Sequence, residues 1–323
     1  MADIFVFIEH FQGKVSDISY MGLAQAQTIA KPLGSKVVAV LLGSKVDILS
    51  NDLLADEILV VDHPSLANVV YDEYVSTLAG MILDKKPGLV IFGDTSVGSD
   101  IASGLSVRLN LPLVSFCKEV KIESAKLRFV TQICGGKIFA EGAFPEGTSL
   151  VTLLPGKFKV NEGQAKIQPK VTSYPLPVQP KSRMKLKDMV LPSGEDLDIT
   201  KEKVLVAVGR GIENEDNIGL VQELADALGG ALCASRPVID QGWLAPSRLV
   251  GKSGKTVKPK IYLALGISGA PEHVEAIGES EMIIAVNTDP NAPIFNIAKY
   301  GTTENLLDLS EELIQSIQEA KGA

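Results

Sequence analysis

The chain contains few of the residues that build metal centres or disulfide frameworks. Its 323 residues include only three cysteines and three histidines, and no two cysteines form a CxxC pair. These six residues lie far apart in the sequence: Cys117, Cys134 and Cys233, and His10, His63 and His273. This pattern argues against a zinc site or a redox disulfide. Free, scattered cysteines are typical of a reducing compartment, so we expect a cytoplasmic protein.

Long apolar runs and an excess of positive charge are also absent. No uninterrupted apolar stretch approaches the roughly 20 residues of a transmembrane helix, so we expect a chain that does not span a membrane. Residues 1–9 are apolar but lack a basic leader and a small-residue cleavage site, which predicts a first buried strand. The formal net charge of −8 disfavours a nucleic-acid ligand, because nucleic-acid binders present a basic face. Small ligands and protein partners fit better.

The first part of the chain alternates short β-branched runs with longer amphipathic stretches. Strands are predicted at residues 4–8, 36–42, 58–61 and 89–92, and helices at 18–30, 66–83 and 101–109. Such alternation indicates a parallel sheet with crossover helices. Three further short strands, at 119–122, 127–133 and 150–154, predict an antiparallel extension of this sheet.

Prolines are concentrated between residues 155 and 200, where few helices or central strands are expected. We therefore predict an extended connector there and divide the chain into domains 1–192 and 193–323. The second domain resumes the alternation, with strands at 204–208, 232–234, 261–265 and 282–286 and a closing helix at 304–320. The predicted fold class is α/β, with two domains that each contain a mainly parallel sheet flanked by helices.

Four loops of the second domain follow predicted strands and are rich in Gly, Ser, Arg and Asn. They lie at residues 209–211, 235–237, 266–273 and 287–290. Parallel sheets bind ligands beyond the carboxyl ends of their strands, so these loops predict a shared ligand site. The segment 266–271 leads into a short helix with Pro271 in its first turn, where backbone N–H groups attract phosphate.

Two glycine-rich segments match known nucleotide motifs only in part. The first, Gly209-Arg210-Gly211, lacks the third glycine of GxGxxG, because position 214 is Asn. The second, residues 251–256, contains GKSGKT but lacks the glycine that a phosphate-binding P-loop requires upstream. No nucleophile–base pair and no paired carboxylates are evident, so the site is interpreted as one that holds a cofactor, and no stand-alone catalytic site is predicted.

At these loops the sequence resembles the alpha subunit of electron-transfer flavoproteins. The resemblance covers nearly the whole chain and is strongest between residues 208 and 309. The matching motifs are Ala234-Ser-Arg236, Asp240-Gln-Gly-Trp243, Val250-Gly251, Ser253-Gly-Lys255, Gly266-Ile-Ser-Gly-Ala270, His273, Ala285-Val-Asn287, Asp289-Pro290 and Ala292-Pro-Ile-Phe295. It implies a nucleotide-hydrolase-like first domain and a Rossmann-like second domain that binds FAD.

The resemblance also implies the residues that contact the cofactor. Arg236 is expected over the isoalloxazine ring, Ser253 at flavin N5 and His273 at the pyrimidine edge near O2. Ser268, Gly269 and Ala270 are expected along the ribityl–pyrophosphate part. The remaining predicted contacts are Arg210, Ser235, Val250, Gly251, Lys252, Pro271, Glu272, Asn287, Asn305 and Leu306. Fixed donors and cations at these positions suit the negative charge that a reduced flavin carries.

Three positions depart from the pattern that is common in the family. Lys252 replaces a glutamine, Pro271-Glu272 replaces an apolar residue and a glutamine, and Asn305 replaces an aspartate that often contacts the cofactor. These differences leave FAD binding as the expectation but bear on the flavin's redox potential. We expect Lys252 to raise that potential through its positive charge.

The resemblance implies electron transfer with protein partners. A beta subunit is expected to contact the first domain, with acyl-CoA or other flavin dehydrogenases as donors and a membrane quinone oxidoreductase as acceptor. An electron-bifurcating complex that uses NADH and ferredoxin is a close variant. The alternatives are a nucleotide-binding or adenylating α/β enzyme without flavin, and a structural subunit that has lost its cofactor; the presence of Arg236, Ser253 and His273 argues against the latter.

Overall fold

The computed structural model describes residues 2–124, 126–134, 136–155, 158–165, 169–177, 182–189 and 197–322. The chain forms two compact units, Met1–Met189 and Val190–Ala323. The predicted domain boundary at residue 192 lies outside the described residues, as do Pro180 and Pro192 of the predicted connector. Among the described residues, no helix combines the length and apolar character needed to cross a bilayer.

The first unit is built on a nine-stranded sheet with the order β11-β5-β4-β1-β6-β10-β7-β8-β9. These strands are β1 (Ile4–Ile8), β4 (Val37–Gly43), β5 (Glu57–Asp62), β6 (Leu89–Gly93), β7 (Leu113–Glu123), β8 (Lys126–Ile133), β9 (Ile138–Ala143), β10 (Ser149–Leu153) and β11 (Lys170–Ser173). A separate hairpin pairs β2 (His10–Phe11) with β3 (Lys14–Val15). Strands β1, β4 and β6 are buried throughout, as their continuous apolar runs predict.

Helices cover both faces of this sheet. They are α1 (Asp17–Leu33), α2 (Tyr71–Lys85) and α3 (Ser96–Leu109). Because strand side chains alternate between faces, Val6 packs in a core with Leu23 and Ile29 of α1, whereas Phe7 packs in a second core with Leu78 of α2 and Leu105 of α3. The expected parallel sheet with crossover helices is confirmed in this unit.

The predicted antiparallel extension is correct for only part of the region. Strands β7, β8 and β9 pair in antiparallel fashion, but β10 pairs parallel to both β6 and β7 and lies inside the sheet. The prediction for residues 150–154 was therefore wrong in its direction of pairing. Strand β11 lies within the predicted extended connector, where it pairs parallel to β5 at the edge of the sheet.

The second unit contains a five-stranded, all-parallel sheet with the order β13-β12-β14-β15-β16. Its strands are β12 (Val204–Val208), β13 (Ala231–Ala234), β14 (Ile261–Leu265), β15 (Met282–Val286) and β16 (Tyr300–Thr302). Its helices are α4 (Ile218–Ala227), α5 (Arg236–Asp240), α6 (Pro271–Ile277) and α7 (Leu306–Gly322). Helices α4 and α7 contribute to the core on one face, and α6 contributes to the core on the other.

The strand order of the second unit places a topological switch point between β12 and β14. From β12 the chain crosses to β13 on one side and then returns to β14 on the other. Loops that leave the carboxyl ends of these two strands diverge, which opens a crevice at that edge of the sheet. The four loops predicted to share a ligand site all leave this edge.

Candidate functional site

The crevice begins where two glycine-rich loops meet at the switch point. Gly209 N donates a hydrogen bond to Leu265 O at 2.8 Å, and Gly211 N donates to Gly266 O at 3.2 Å. A Cβ atom on Gly211 would lie 2.7 Å from the Gly266 Cα, so this approach requires glycine. The preceding Arg210 is exposed beside the contact.

The end of β13 presents an arginine to the same edge. Ser235 is buried at the start of α5, and Arg236 is the first, exposed residue of that helix. Arg236 Nε lies 3.3 Å from Asp240 Oδ2, one helical turn further on. Its Nη1 makes a long contact of 3.5 Å with Ser253 Oγ. The guanidinium group is thus held between α5 and the loop that contains Ser253.

A tight loop at residues 250–255 forms the next wall of the site. Val250 N donates to Ala234 O at 2.9 Å, and Gly254 N donates to Gly251 O at 2.9 Å. Gly251 has a φ of 147°, a conformation that favours glycine. Lys252, Ser253 and Gly254 are exposed at the tip of the loop.

Backbone and side-chain contacts fix this loop on two sides. Lys252 N donates to Glu272 O at 2.9 Å, which ties the loop to α6. The Lys252 ammonium lies 4.0 Å from a carboxylate oxygen of Glu275. On the other side, Lys255 Nζ lies 3.3 Å from Asp198 Oδ1. Hydrogen bonds from Thr200 and the nearby lysines hold the pKa of Asp198 well below its usual range, so this carboxylate is charged at neutral pH.

His273 lies behind the loop and is only 6% exposed. Its Nδ1 is 3.1 Å from the carbonyl oxygen of Val250, and its Nε2 is 2.9 Å from the Tyr262 hydroxyl. Burial lowers the pKa of His273 to about 4. The imidazole is therefore neutral at pH 7, and both of its nitrogens take part in hydrogen bonds within the unit.

The loops after β14 and β15 complete the edge. Ser268 is exposed, and its carbonyl accepts a hydrogen bond from Ile294 N at 3.0 Å. Gly269 has a φ of 87° and packs against the Ile294 backbone. Ala270, Pro271 and Glu272 are exposed around the first turn of α6.

The two asparagines predicted at the site both have local structural roles. Asn287 Nδ2 donates to Ile267 O at 2.9 Å, and Asn287 Oδ1 accepts from Asp289 N at 3.0 Å. Asn305 Oδ1 accepts from Leu307 N at 2.8 Å, which caps the start of α7. Leu306 is buried, and its Cδ2 atom would lie 2.8 Å from a Cβ atom added at Gly266. The start of α7 therefore packs against the glycine-rich loop at the switch point.

The structure thus brings the predicted side chains to the carboxyl edge of one sheet. Arg210, Arg236 and Lys252 contribute positive charge, Ser253 and Ser268 contribute hydroxyl groups, and the glycines allow the backbone to approach a ligand. This donor set suits a large anionic ligand such as a dinucleotide, whose pyrophosphate requires cations and N–H donors. Fold and site together are typical of the dinucleotide-binding class of α/β proteins.

The comparisons with known proteins identify the family. Residues 4–178 match the family model described as "Electron transfer flavoprotein domain", and residues 198–278 match the model "Electron transfer flavoprotein FAD-binding domain". The chain therefore belongs to the alpha-subunit family of electron-transfer flavoproteins.

Several curated relatives are similar over nearly the whole chain. The protein FixB of Clostridium saccharobutylicum is 36% identical, over 99% of this chain and 97% of the relative. The electron transfer flavoprotein subunit alpha of Thermoanaerobacterium thermosaccharolyticum is 33% identical, over 99% of this chain and 98% of the relative. The lactate dehydrogenase (NAD(+),ferredoxin) subunit LctC of Acetobacterium woodii is 30% identical, over 98% of this chain and 77% of the relative.

Sequence reasoning missed residues that hold the predicted ones in place. Asp240 follows Arg236 by four residues, and this helical spacing of opposite charges was a usable signal. Tyr262 is fully buried, and a buried hydroxyl group requires a partner, but the sequence does not show that the partner is His273. The Asp198–Lys255 ion pair spans too long a stretch of sequence to be predicted.

Proposed function

We propose that this chain is the FAD-binding alpha subunit of an electron-transfer flavoprotein and relays electrons between a flavin dehydrogenase and a further acceptor. The observation that carries the proposal is the convergence of Arg236, Lys252 and Ser253 at the switch-point edge of the second unit. The match of residues 198–278 to an FAD-binding domain model supports it. Acyl-CoA dehydrogenases are the proposed donors, and a quinone oxidoreductase is the proposed acceptor.

The residues at this edge divide into groups by what they offer FAD. Arg236 and Ser253 would face the isoalloxazine ring, together with the wall formed by Val250, Gly251, Lys252 and His273. Ser268, Gly269 and Ala270, with Pro271 and Glu272 beside them, would line the ribityl–pyrophosphate part. Arg210, Ser235, Asn287, Asn305 and Leu306 would complete the dinucleotide site.

FAD, when bound, supplies the capacity to accept and release electrons, and the protein supplies charge and shape. A guanidinium and an ammonium group that are fixed before electron arrival favour the reduced, more negative cofactor, because no solvent must reorganise to supply that charge. The Ser253 hydroxyl offers a hydrogen bond from the same loop. Asp240 keeps the Arg236 side chain directed towards this loop.

The proposed assembly includes a beta subunit that contacts the first unit. The names of two relatives motivate a choice of partners. One is the NAD(+)- and ferredoxin-linked lactate dehydrogenase subunit described above. The other is the acryloyl-CoA reductase electron transfer subunit beta of Anaerotignum propionicum, which is 32% identical over 99% of this chain and 97% of the relative. We therefore retain an electron-bifurcating complex with NADH and ferredoxin as a variant of the proposal.

Co-expression of the chain with its beta subunit tests the proposal directly. The purified pair is expected to be yellow and to release FAD on denaturation. One flavin per pair indicates a simple carrier, whereas two flavins with reduction by NADH indicate bifurcation. A folded pair that contains no flavin but retains AMP or ATP would instead support the nucleotide-binding alternative.

Arg236→Gln tests whether the flavin occupies the predicted edge. Loss of a charge-assisted contact to the cofactor is expected to weaken FAD retention by about tenfold or more, measured as flavin content after dialysis. Lys299→Gln is the matched control, because Lys299 directly precedes β16 and so lies at the opposite edge of the same sheet. Equal flavin content in the two variants would place the cofactor elsewhere.

A further inference from the structure

A buried hydrogen-bonded chain runs from Tyr262, on the central strand β14 of the second sheet, to the wall of the proposed flavin site. The Tyr262 hydroxyl lies 2.9 Å from His273 Nε2. His273 Nδ1 then lies 3.1 Å from the carbonyl oxygen of Val250. Cys233 and Tyr262 are both 0% exposed, and Val250 is 1% exposed.

The chemistry of the two ends fixes the direction of the chain. A backbone carbonyl can only accept a hydrogen bond, so Nδ1 of His273 must carry a proton. In the neutral imidazole, Nε2 is then the acceptor and receives the hydrogen bond that Tyr262 donates. The Val250 carbonyl belongs to the loop of residues 250–255, so the only N–H of this ring is directed towards the loop that contains Lys252 and Ser253.

We propose that Tyr262 is a positioning residue that holds His273 as the neutral Nδ1–H tautomer, so that its one N–H is donated to the Val250 carbonyl in the loop that lines the proposed flavin site. The inference rests on the proposed function, since it concerns the loop of residues 250–255 that would line bound FAD. Hydrogen bonds in a chain strengthen one another, so donation into Nε2 makes Nδ1–H a stronger donor. The positive charge near the flavin then comes from Arg236 and Lys252, whereas the neutral His273 contributes only the dipole of its N–H bond.

Burial on several sides maintains this neutral state. Several titratable groups lie on the elements that pack around the imidazole ring. They are Cys233 on β13, Tyr262 on β14, Lys252 and Lys255 in the loop of residues 250–255, and Glu272 and Glu275 on α6, the helix that also contains His273. Burial raises the pKa of Cys233 to about 12 and that of Tyr262 well above its ordinary value, so both are uncharged near neutral pH. Cys233, Tyr262 and His273 are therefore all neutral near pH 7.

Nitrogen-15 NMR of the histidine side chains tests the tautomer without any turnover. The chain has three histidines, so the His273 signals can be assigned by their absence in His273→Asn. In the complex with the beta subunit we expect a protonated Nδ1 and a hydrogen-bonded, unprotonated Nε2, with or without FAD. A protonated Nε2 would overturn the proposal, even if FAD binding were fully established.

Tyr262→Phe tests the polarising effect on the cofactor. We expect the Nε2 resonance to move to the position of an unbonded nitrogen, and the flavin midpoint potential to fall while flavin content stays at the wild-type level. Tyr300→Phe, which removes a hydroxyl from a residue that is 58% exposed in the same unit, should change neither quantity. An unchanged potential in Tyr262→Phe would overturn the positioning role, whereas absence of flavin from the wild-type complex would instead refute the proposed function.

Discussion

His273 makes the stability of the second unit sensitive to acid. Burial lowers its pKa from the ordinary 6.5 to about 4 in the folded protein. A histidine with a depressed folded pKa contributes stability above its unfolded pKa, and this contribution is lost as pH falls towards the folded value. From these two values, the unfolding free energy should fall by about 2 kcal/mol between roughly pH 7 and pH 4.5.

Urea unfolding at the two pH values measures this loss. Other groups also titrate in the range, so the comparison must be made against His273→Gln, which has no imidazole to protonate. The variant should lose less stability on acidification than the wild-type chain does. Identical losses would mean that the folded imidazole accepts a proton as readily as the unfolded one.

Lys252 is the charged residue by which this chain departs from the common pattern of its family. Its ammonium lies 4.0 Å from the half-buried Glu275 carboxylate, which offsets part of the charge, but the Lys252 side chain itself remains exposed. A cation near the flavin stabilises the reduced, more negative form. Lys252→Gln should therefore lower the midpoint potential, measured by spectroelectrochemistry, while Lys299→Gln should leave it unchanged. A midpoint potential that does not move in Lys252→Gln would contradict the expected effect of Lys252 on the flavin.

At the scale of elements, the sequence predicts strands buried on both faces best. Strands β12, β14 and β15 are short apolar runs bounded by glycine or polar residues, and their positions were predicted to within a residue. The direction of β10 was not predictable, because an apolar run at residues 149–153 has the same pattern in parallel and antiparallel pairing. The short edge strand β11, at Lys170–Ser173, has an exposed, polar pattern that resembles a loop.

In the candidate site, too, the sequence predicted local features but not the contacts between segments that are distant in sequence. The loops that contain Arg236 and Ser268 could be located because each follows a predicted strand, whereas Ser253 was predicted only from the family resemblance. The contacts between them depend on how the strands are ordered, and only the structure supplies that order. The bond between Tyr262 and His273 illustrates this: β14 and α6 are adjacent in sequence, yet the pairing of these two side chains depends on the packing of the helix against the sheet.

At the scale of the whole molecule, the two units have separate apolar cores. The cores around Val6 and Phe7 are built from residues of the first unit, and those around Ala207 and Val208 from residues of the second. The proposed FAD contacts all lie in the second unit. Because a ligand stabilises only the unit whose folded state binds it, FAD should suppress opening of the second core and leave the first core unaffected.

Hydrogen exchange of the complete complex, with FAD bound and after its removal, measures this difference. A ligand at a thousandfold excess over its Kd stabilises the folded state by about 4 kcal/mol, which slows exchange through unit-wide opening by up to about a thousandfold. We expect this slowing in β12 (Val204–Val208) and not in β4 (Val37–Gly43). Equal slowing in both strands would mean that the units open together, so that flavin binding in one unit protects the entire chain. Slowing in β4 alone would place the ligand in the first unit and contradict the proposed site.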